Sequence, residues 1–295
     1  MEMNHKVLLF GTMGDIGETV LKSLRDTHGI NAVLVDFPQN MFHDEPGYRI
    51  FLDRAIREHE PDVIIPIGSQ LALARFREGV PLPKNYKVLP KNIHTIAESS
   101  DKIMLLDSKV GCSALAAQLG IAQPQMLNNA DTVDYDRIEW GRVIFKRDSS
   151  FGGSGVFRPR TCQALDRLIA QQPGRPFLVE EFIEGYDVSV DAVRFPGFYK
   201  AACYRTLARK QGQGPASERM AIDFPELCQT ARRILDHIDY NGVCGFDFRI
   251  SESTGQAYFL ECNPRFTGGI GTQIEAGFDI PFEILRNWRG QNSSM

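Results

Sequence analysis

No run of apolar residues in this chain of 295 approaches the roughly 20 needed to cross a bilayer, so no membrane partner is expected. Positive charge is not in excess either. Lys and Arg number 33 against 37 Asp and Glu, a net charge of −4, which lacks the basic footprint of a nucleic-acid binder. The six cysteines, at 112, 162, 203, 228, 244 and 262, form no Cys-x-x-Cys pair and no Cys/His metal spacing. Such scattered thiols fit a reduced, cytoplasmic protein. Residues 1–6 lead directly into a strand-like Val-Leu-Leu-Phe, without a signal-peptide layout. No glycine-rich stretch runs into Gly-Lys-Ser/Thr, which excludes a Walker phosphate loop. None of the eight tyrosines has a lysine four residues on, and no repeat or low-complexity tract is present.

What is present begins as an alternation. Residues 6–10 read as a buried strand, and Gly11, Gly14 and Gly17 lead into a helix over 18–27. A second strand at 32–35 ends in Asp36, and 50–59 reads as helix. A third strand at 62–66 exits through Gly68-Ser69-Gln70 into a helix reaching Arg77. A further helix is expected at 91–98. Strands alternating with helices, with glycine at a strand end, predict an α/β fold that opens on a doubly wound parallel sheet over 1–100. The three glycines with Asp36 also resemble the nucleotide fingerprint of an extended short-chain dehydrogenase. That chemistry needs the missing Tyr/Lys pair, so a tight strand-to-helix turn is the preferred reading.

The middle of the chain carries groups suited to phosphate. A helix is expected from Lys109 to Gly120, with Gly120 as its stop and Pro124 beyond. A strand ends at Lys146, and a Gly-Ser loop follows with Gly152, Gly153, Ser154 and Gly155. Glycine lets backbone N–H groups converge on an anion, and a lysine ammonium adds a point charge. A strand from Phe177 runs into Glu180-Glu181-Phe182-Ile183-Glu184-Gly185, followed by an alternating strand at 188–193. The stretch 205–219, with Arg205, Arg209, Lys210 and Arg219 among Gly212, Gly214 and Pro215, reads as a flexible basic lid.

Near the C-terminus, Gly245-Phe-Asp-Phe-Arg249 and Leu260-Glu-Cys-Asn-Pro-Arg265 flank the turn formers 251–255 and predict a hairpin. Folding it near Thr254 puts Asp247 across from Glu261. Alternation puts Glu261 and Asn263 on one face and Cys262 on the core side. Two carboxylates and an amide oxygen then converge, a hard-oxygen set of the kind that Mg²⁺ takes while also holding phosphates. Arg265 is within reach of the same centre.

The order of these elements closely resembles the ATP-grasp superfamily, in the branch of carboxylate–amine ligases akin to the carbamoyl-phosphate synthetase large subunit. The resemblance covers nearly the whole chain. It implies a pre-ATP-grasp domain over 1–100, a small lobe with the Gly-rich loop over 101–177, and a C-terminal lobe with antiparallel sheet and metal site over 178–295. Lys109 and Lys146 would contact ATP phosphates, with Lys102 as the rival for the first role, and Gly152–Gly155 would close over them. Glu180 would offer its carbonyl to adenine within the Glu180–Ile183 connector, which includes Glu181. An N–H near Phe182 or Ile183 would meet the ring. Asp187 stands where the family more often has a ribose-binding glutamate. Asp247, Glu261 and Asn263 would hold two Mg²⁺, or Mn²⁺, with Arg265, and Arg205 and Arg209 from the lid, acting on the reacting groups. The implied reaction makes an amide or peptide bond through an acyl phosphate, on a small amino-acid-like acid, in a homodimeric protein. A bicarbonate-activating ligase and a non-catalytic ATP-binding partner remain as alternatives.

Overall fold

Strands of four consecutive apolar residues suit a parallel sheet covered by helices on both faces. The N-terminal third is built that way. The computed structural model describes residues 5–11, 14–36, 45–78, 93–129, 132–148, 150, 152–209 and 216–288. In chain order come β1 (Val7–Phe10), α1 (Asp15–Lys22), β2 (Ala32–Val35), α2 (Glu45–His59), β3 (Val63–Pro66), α3 (Gln70–Arg77) and β4 (His94–Thr95). They form a parallel sheet of order β2-β1-β3-β4. Val7 and Leu9 cluster with Val20 and Leu21 of α1, while Leu8 and Phe10 cluster with Tyr48 and Leu52 of α2. Gly11 and Gly14, at φ +85° and +66°, make the turn into α1. Few residues but glycine adopt that backbone cheaply.

The helix expected at 91–98 is a misreading. Residues 91 and 92 lie outside the described ones, and 94–95 form β4. His94 and Ile96 donate backbone N–H groups to the Asp62 and Ile64 carbonyls at 2.9 Å each, extending the sheet from β3. Ile93, Thr95 and Ile96 are β-branched, which favours the pleat over a helix once a strand edge is available.

Next come α4 (Ser100–Asp107), α5 (Lys109–Gln118), β5 (Asn128–Asn129), β6 (Thr132–Val133), β7 (Val143–Arg147), β8 (Val156–Phe157), α6 (Cys162–Ala170) and β9 (Phe177–Glu181). Ser108 caps α5 by accepting the Gly111 N–H, and Gly120 at φ +64° follows its end. β7, β8 and β9 make a small antiparallel sheet of order β8-β7-β9. A larger antiparallel sheet follows, from β10 (Gly185–Phe195), β11 (Phe198–Arg209), β12 (Ala216–Ile222), β13 (Gly242–Ser251) and β14 (Ala257–Asn263). α7 (Pro225–His237) lies between β12 and β13, and α8 (Ile270–Glu275) and α9 (Ile280–Asn287) end the described chain. The strand order is β12-β11-β10-β13-β14.

The large sheet has one dry face. Val188, Val190, Phe246, Phe248 and Phe259 cluster there with Leu227, Ala231 and Ile234 of α7 and Cys112 and Leu115 of α5. Each such fully buried side chain contributes roughly 1.5–3 kcal/mol. That burial fixes which residues face the other way. The lid expected at 205–219 is, on both described sides, a β-ribbon of β11 and β12. Alternation through Ala-Cys-Tyr-Arg-Thr-Leu suits a strand, and it extends the loop's neighbours further than its glycines suggest. Lys210, Gly212, Gly214 and Pro215 lie outside the described residues.

Gly185 opens β10 where a Cβ would sit 1.8 Å from the Ile250 carbonyl oxygen of β13. Backbone cannot swing aside as a side chain can. Gly185→Ala is therefore expected to cost about 1–3 kcal/mol of stability in urea denaturation. An unchanged midpoint would show that this strand pairing is looser than described.

Candidate active site

The wet face of the large sheet is laid out in rows. One row runs Ser189, Asp247, Glu261 across β10, β13 and β14, and the next runs Asp191, Gly245, Asn263. Asp247 lies opposite Glu261, as the fold-back at Thr254 requires, although the ladder slips by one residue between Asp247 and Phe248. The slip is a bulge that re-aims the end of β14. Ser189 donates to Asp247 at 2.6 Å, Asn263 Nδ2 donates to Asp247 at 3.1 Å, and Arg265 Nη2 donates to Asn263 Oδ1 at 2.8 Å. Burial, then the charge of Glu261, pushes the Asp247 carboxyl up to about 6. Cys262 is 4% exposed and points into the core.

Both lysines face this row. Lys109, first residue of α5 and buried, places Nζ 3.1 Å from Glu261 and donates to the Ser150 carbonyl at 3.0 Å. Asp148 accepts from Ser108 at 2.9 Å and from the Val110 N–H at 2.8 Å, tying the loop after β7 to the start of α5. Lys102 is elsewhere. It donates to Glu98 and to the Asp239 carbonyl, so of the two rivals only Lys109 joins the cluster. Lys146 on β7 pairs with Glu180 of β9 at 2.6 Å. Burial works against its charge, yet Glu180 holds the ammonium above the usual lysine range, and Glu261 adds to the effect. The loop above them turns through Gly152 and Gly153 at φ +59° and +79°. A Cβ at Gly155 would meet Ser150 Oγ at 2.1 Å. Ser154 sits in the same turn.

The connector after β9 is partly spoken for. Glu181 both donates its N–H to the Gln125 carbonyl and accepts the Gln125 N–H, each at 3.0 Å. The Phe182 N–H donates to the Arg142 carbonyl at 2.8 Å, which leaves Ile183 as the remaining donor of the two expected for adenine. Asp187 is gripped by Arg249 and Arg209 at 2.6 Å each. Burial pushes its carboxyl up, but the two guanidiniums prevail and hold it below the usual carboxylate range.

Arg205 is not brought to the site. It pairs with Val188, whose side chain is in the dry core, so strand parity turns Arg205 to that side, 3.9 Å over the Tyr186 ring. Arg209 reaches Asp187 because irregular pairing at 206–209 shifts the parity. Three groups near the centre escaped the sequence reading. Arg249 and Ser189 were legible, being two residues from Asp247 and Asp187 on alternating strands. Asp107, whose carboxyl burial pushes up against the pull of Arg265 and Lys109, ends a helix that the sequence did not announce.

Residues 174–295 match the family model described as ATP-grasp in the biosynthetic pathway with Ter operon. The chain is 22% identical over 270 residues to a carbamoyl-phosphate synthase of Methanobrevibacter smithii, covering 86% of this chain and 70% of that protein. It is 25% identical over 271 residues to the carbamoyl phosphate synthase large chain of Thermoanaerobacter pseudethanolicus, covering 84% of this chain but 24% of the relative. Among solved structures it resembles the biotin carboxylase domain dimer of Hydrogenobacter thermophilus 2-oxoglutarate carboxylase in complex with MgADP, ADP and bicarbonate. There the TM-score is 0.72 at 18% identity, over 99% of this chain and 72% of that one. It also resembles an L-amino acid ligase of Bacillus licheniformis, with TM-score 0.68 at 13% identity over 97% and 74% of the two chains.

The family match gives residues 174–295 an ATP-grasp domain, and the likeness to the carbamoyl-phosphate synthases extends over most of the chain. Its homologues support ATP-dependent ligation, and the fold agrees with the expected mixture of one parallel sheet and antiparallel sheets. The donor chemistry of this ATP-grasp site fits Mg²⁺. Among the described residues no three His, Cys, Asp or Glu side chains gather for a metal, and the set here is two carboxylates and an amide. That is the small protein share Mg²⁺ takes when substrate phosphates complete its shell. Asn263 Oδ1 would have to exchange Arg265 for the cation.

Two facing carboxylates cost stability when no cation lies between them. Asp247→Asn removes one charge, so the nucleotide-free protein is expected to gain up to about 3 kcal/mol in chemical denaturation while losing its Mg²⁺-dependent stabilisation by ATP. A destabilised variant that still responds to MgATP would contradict this assignment.

Proposed function

We propose that this protein is an ATP-dependent carboxylate–amine ligase acting on a small amino-acid-like acid. The observation that carries the reading is the meeting of Lys109 with Glu261 at 3.1 Å, which joins the phosphate-binding side of the cleft to the acidic row of the sheet. A carboxylate oxygen of the acid attacks the γ-phosphorus of ATP, and ADP leaves. The amine nitrogen then attacks the acyl carbon, sheds its proton, and phosphate leaves as the amide forms. Such phosphoryl transfer asks mainly for positioning and charge neutralisation.

Lys109 and Lys146 bind phosphate oxygens, with Gly152–Gly155 folding over them. Glu180 and Ile183 offer backbone groups to adenine, and Asp187, held by two arginines, faces the ribose. Asp247, Glu261 and Asn263 would hold Mg²⁺, which when bound would neutralise phosphate charge. Arg265 stabilises the acyl phosphate and the tetrahedral intermediate that follows. Arg209 orients Asp187, while Arg205 is withdrawn from the reacting groups on the parity argument. Small-molecule acid and amine are the partners, and a cytoplasmic homodimer completes the reading. The dimeric carboxylase neighbour supports the dimer.

Hydroxylamine with ATP, Mg²⁺ and a panel of acids is expected to trap an acyl hydroxamate in step with ADP release. Tight ATP binding with no ADP formed on any acid would overturn the ligase reading, and release that depends only on bicarbonate would redirect it to a carboxyphosphate-forming enzyme. Arg265→Ala is expected to lower kcat for ADP release by about 10²–10³-fold with little change in ATP affinity. An unaltered kcat would remove Arg265 from the mechanism.

A further inference from the structure

Two of the six thiols meet on the dry side of the large sheet, away from the acidic row. Cys203 of β11 pairs with Val190 of β10 and clusters with it on the face that α7 covers. Cys228 closes the first turn of α7, and its Sγ lies 3.5 Å from that of Cys203. Cys203 is 2% exposed, whereas Cys228 is half-buried, so the pair is open to solvent at Cys228. Closing the gap to a sulfur–sulfur bond of about 2.0 Å asks each sulfur to move by about 0.7 Å.

The two sulfurs are also unlike in chemistry. Cys203 Sγ faces both Cys228 Sγ and the Phe224 carbonyl, each at 3.5 Å, with its S–H available to either. Its hydrogen bond with Cys228 pushes the Cys203 thiol up, and burial adds to this. The same bond lowers the Cys228 thiol, against the opposing effect of burial. A place near a helix N-terminus favours the Cys228 thiolate further. Cys228 is therefore the sulfur to react first, with Cys203 behind it. The remaining thiols are set apart. Cys112, Cys244 and Cys262 are at most 4% exposed, and Cys162 on α6 has Asp166 as its neighbour at 3.5 Å.

We propose that Cys203 and Cys228 are a redox modification site, which a hydroperoxide converts reversibly into a disulfide that fastens the base of the β11–β12 ribbon to α7. Residues 204–227 between them include the rest of β11, all of β12 and the start of α7, so the bond closes the ribbon into a loop. Arg209, which grips Asp187, lies on that loop. In a reducing compartment, disulfides that sense oxidants are transient ones of this kind. The Cys228 thiolate attacks one oxygen of the peroxide; an S–O bond forms, the O–O bond breaks, and hydroxide leaves to become water. Cys203 then gives up its proton, and its sulfur attacks Cys228. The S–S bond forms as the S–O bond breaks, and a second water leaves. Two electrons pass from the thiols to the peroxide, and an added dithiol reverses the link. The pair lies on the face opposite the acidic row, so this site and the ligase site stand or fall separately.

The test treats the folded, reduced full chain with a small molar excess of hydrogen peroxide, then counts free thiols by alkylation in urea. Four of the six are expected to remain, and dithiothreitol should restore all six. Trypsin should release the 201–205 and 220–232 peptides joined, each carrying one cysteine of the pair. The linked protein is expected to melt about 5 °C above the reduced one, because the bond restrains the unfolded chain. Cys203→Ser should stop the reaction halfway, leaving a sulfenic acid on Cys228 that dimedone tags. Cys228→Ser should abolish the link, and a cooperative melt of either reduced variant shows that it is folded. Survival of all six thiols, a link between any other cysteines, or a 203–228 link that forms only in urea would overturn the site. A linked protein that melts below the reduced one would do so too, since the bond would then oppose the fold.

Discussion

One strand register, Asp247 of β13 opposite Glu261 of β14, is the constraint on which the site depends. Side chains alternate along β13, so the register that buries Phe246 and Phe248 lifts Asp247 onto the other face, and the bulge in β14 lets Phe259 stay buried while Glu261, two residues on, turns to the acidic face. Slipping the pair by one residue would expose the phenylalanines and bury the acids. The hydrophobic core thus aims the acidic face. The bulge between Asp247 and Phe248 is tolerated because Phe259 still meets Phe248, their rings 5.7 Å apart and near-perpendicular.

The acidic row is expensive by itself, and the rest of the chain brings cations to it from several directions. Lys109 comes from the start of α5, Lys146 from the small sheet, and Arg265 from just past β14. Lys146 and Glu180, both nearly inaccessible, form an ion pair inside the small lobe that holds the ammonium pointing across the cleft. Buried pairs of this kind add little net stability, but breaking one is costly, so they are better understood as fixing geometry. The Asp187–Arg249–Arg209 cluster does similar work further along the same sheet, binding β10, β11 and β13 together.

Most of the acidic and lysine-bearing elements were legible in the sequence because they obey local rules. The hairpin follows from turn formers at 251–255, its register from the position of the turn, and α5 from a helix that stops at Gly120 with proline beyond. The errors came where tertiary pairing decides. Residues 94–95 became a strand because β3 offered an edge, and Arg205 turned to the core because Val188 lies opposite it.

The central claim is that the row facing Lys109 and Lys146 couples a divalent cation to nucleotide phosphates. Calorimetric titration of ATP with and without Mg²⁺, on the native protein and on Glu261→Gln, tests it most directly. The account predicts that Mg²⁺ tightens ATP binding to the native protein and that this gain disappears in the variant. An equal gain from Mg²⁺ in both proteins would contradict it.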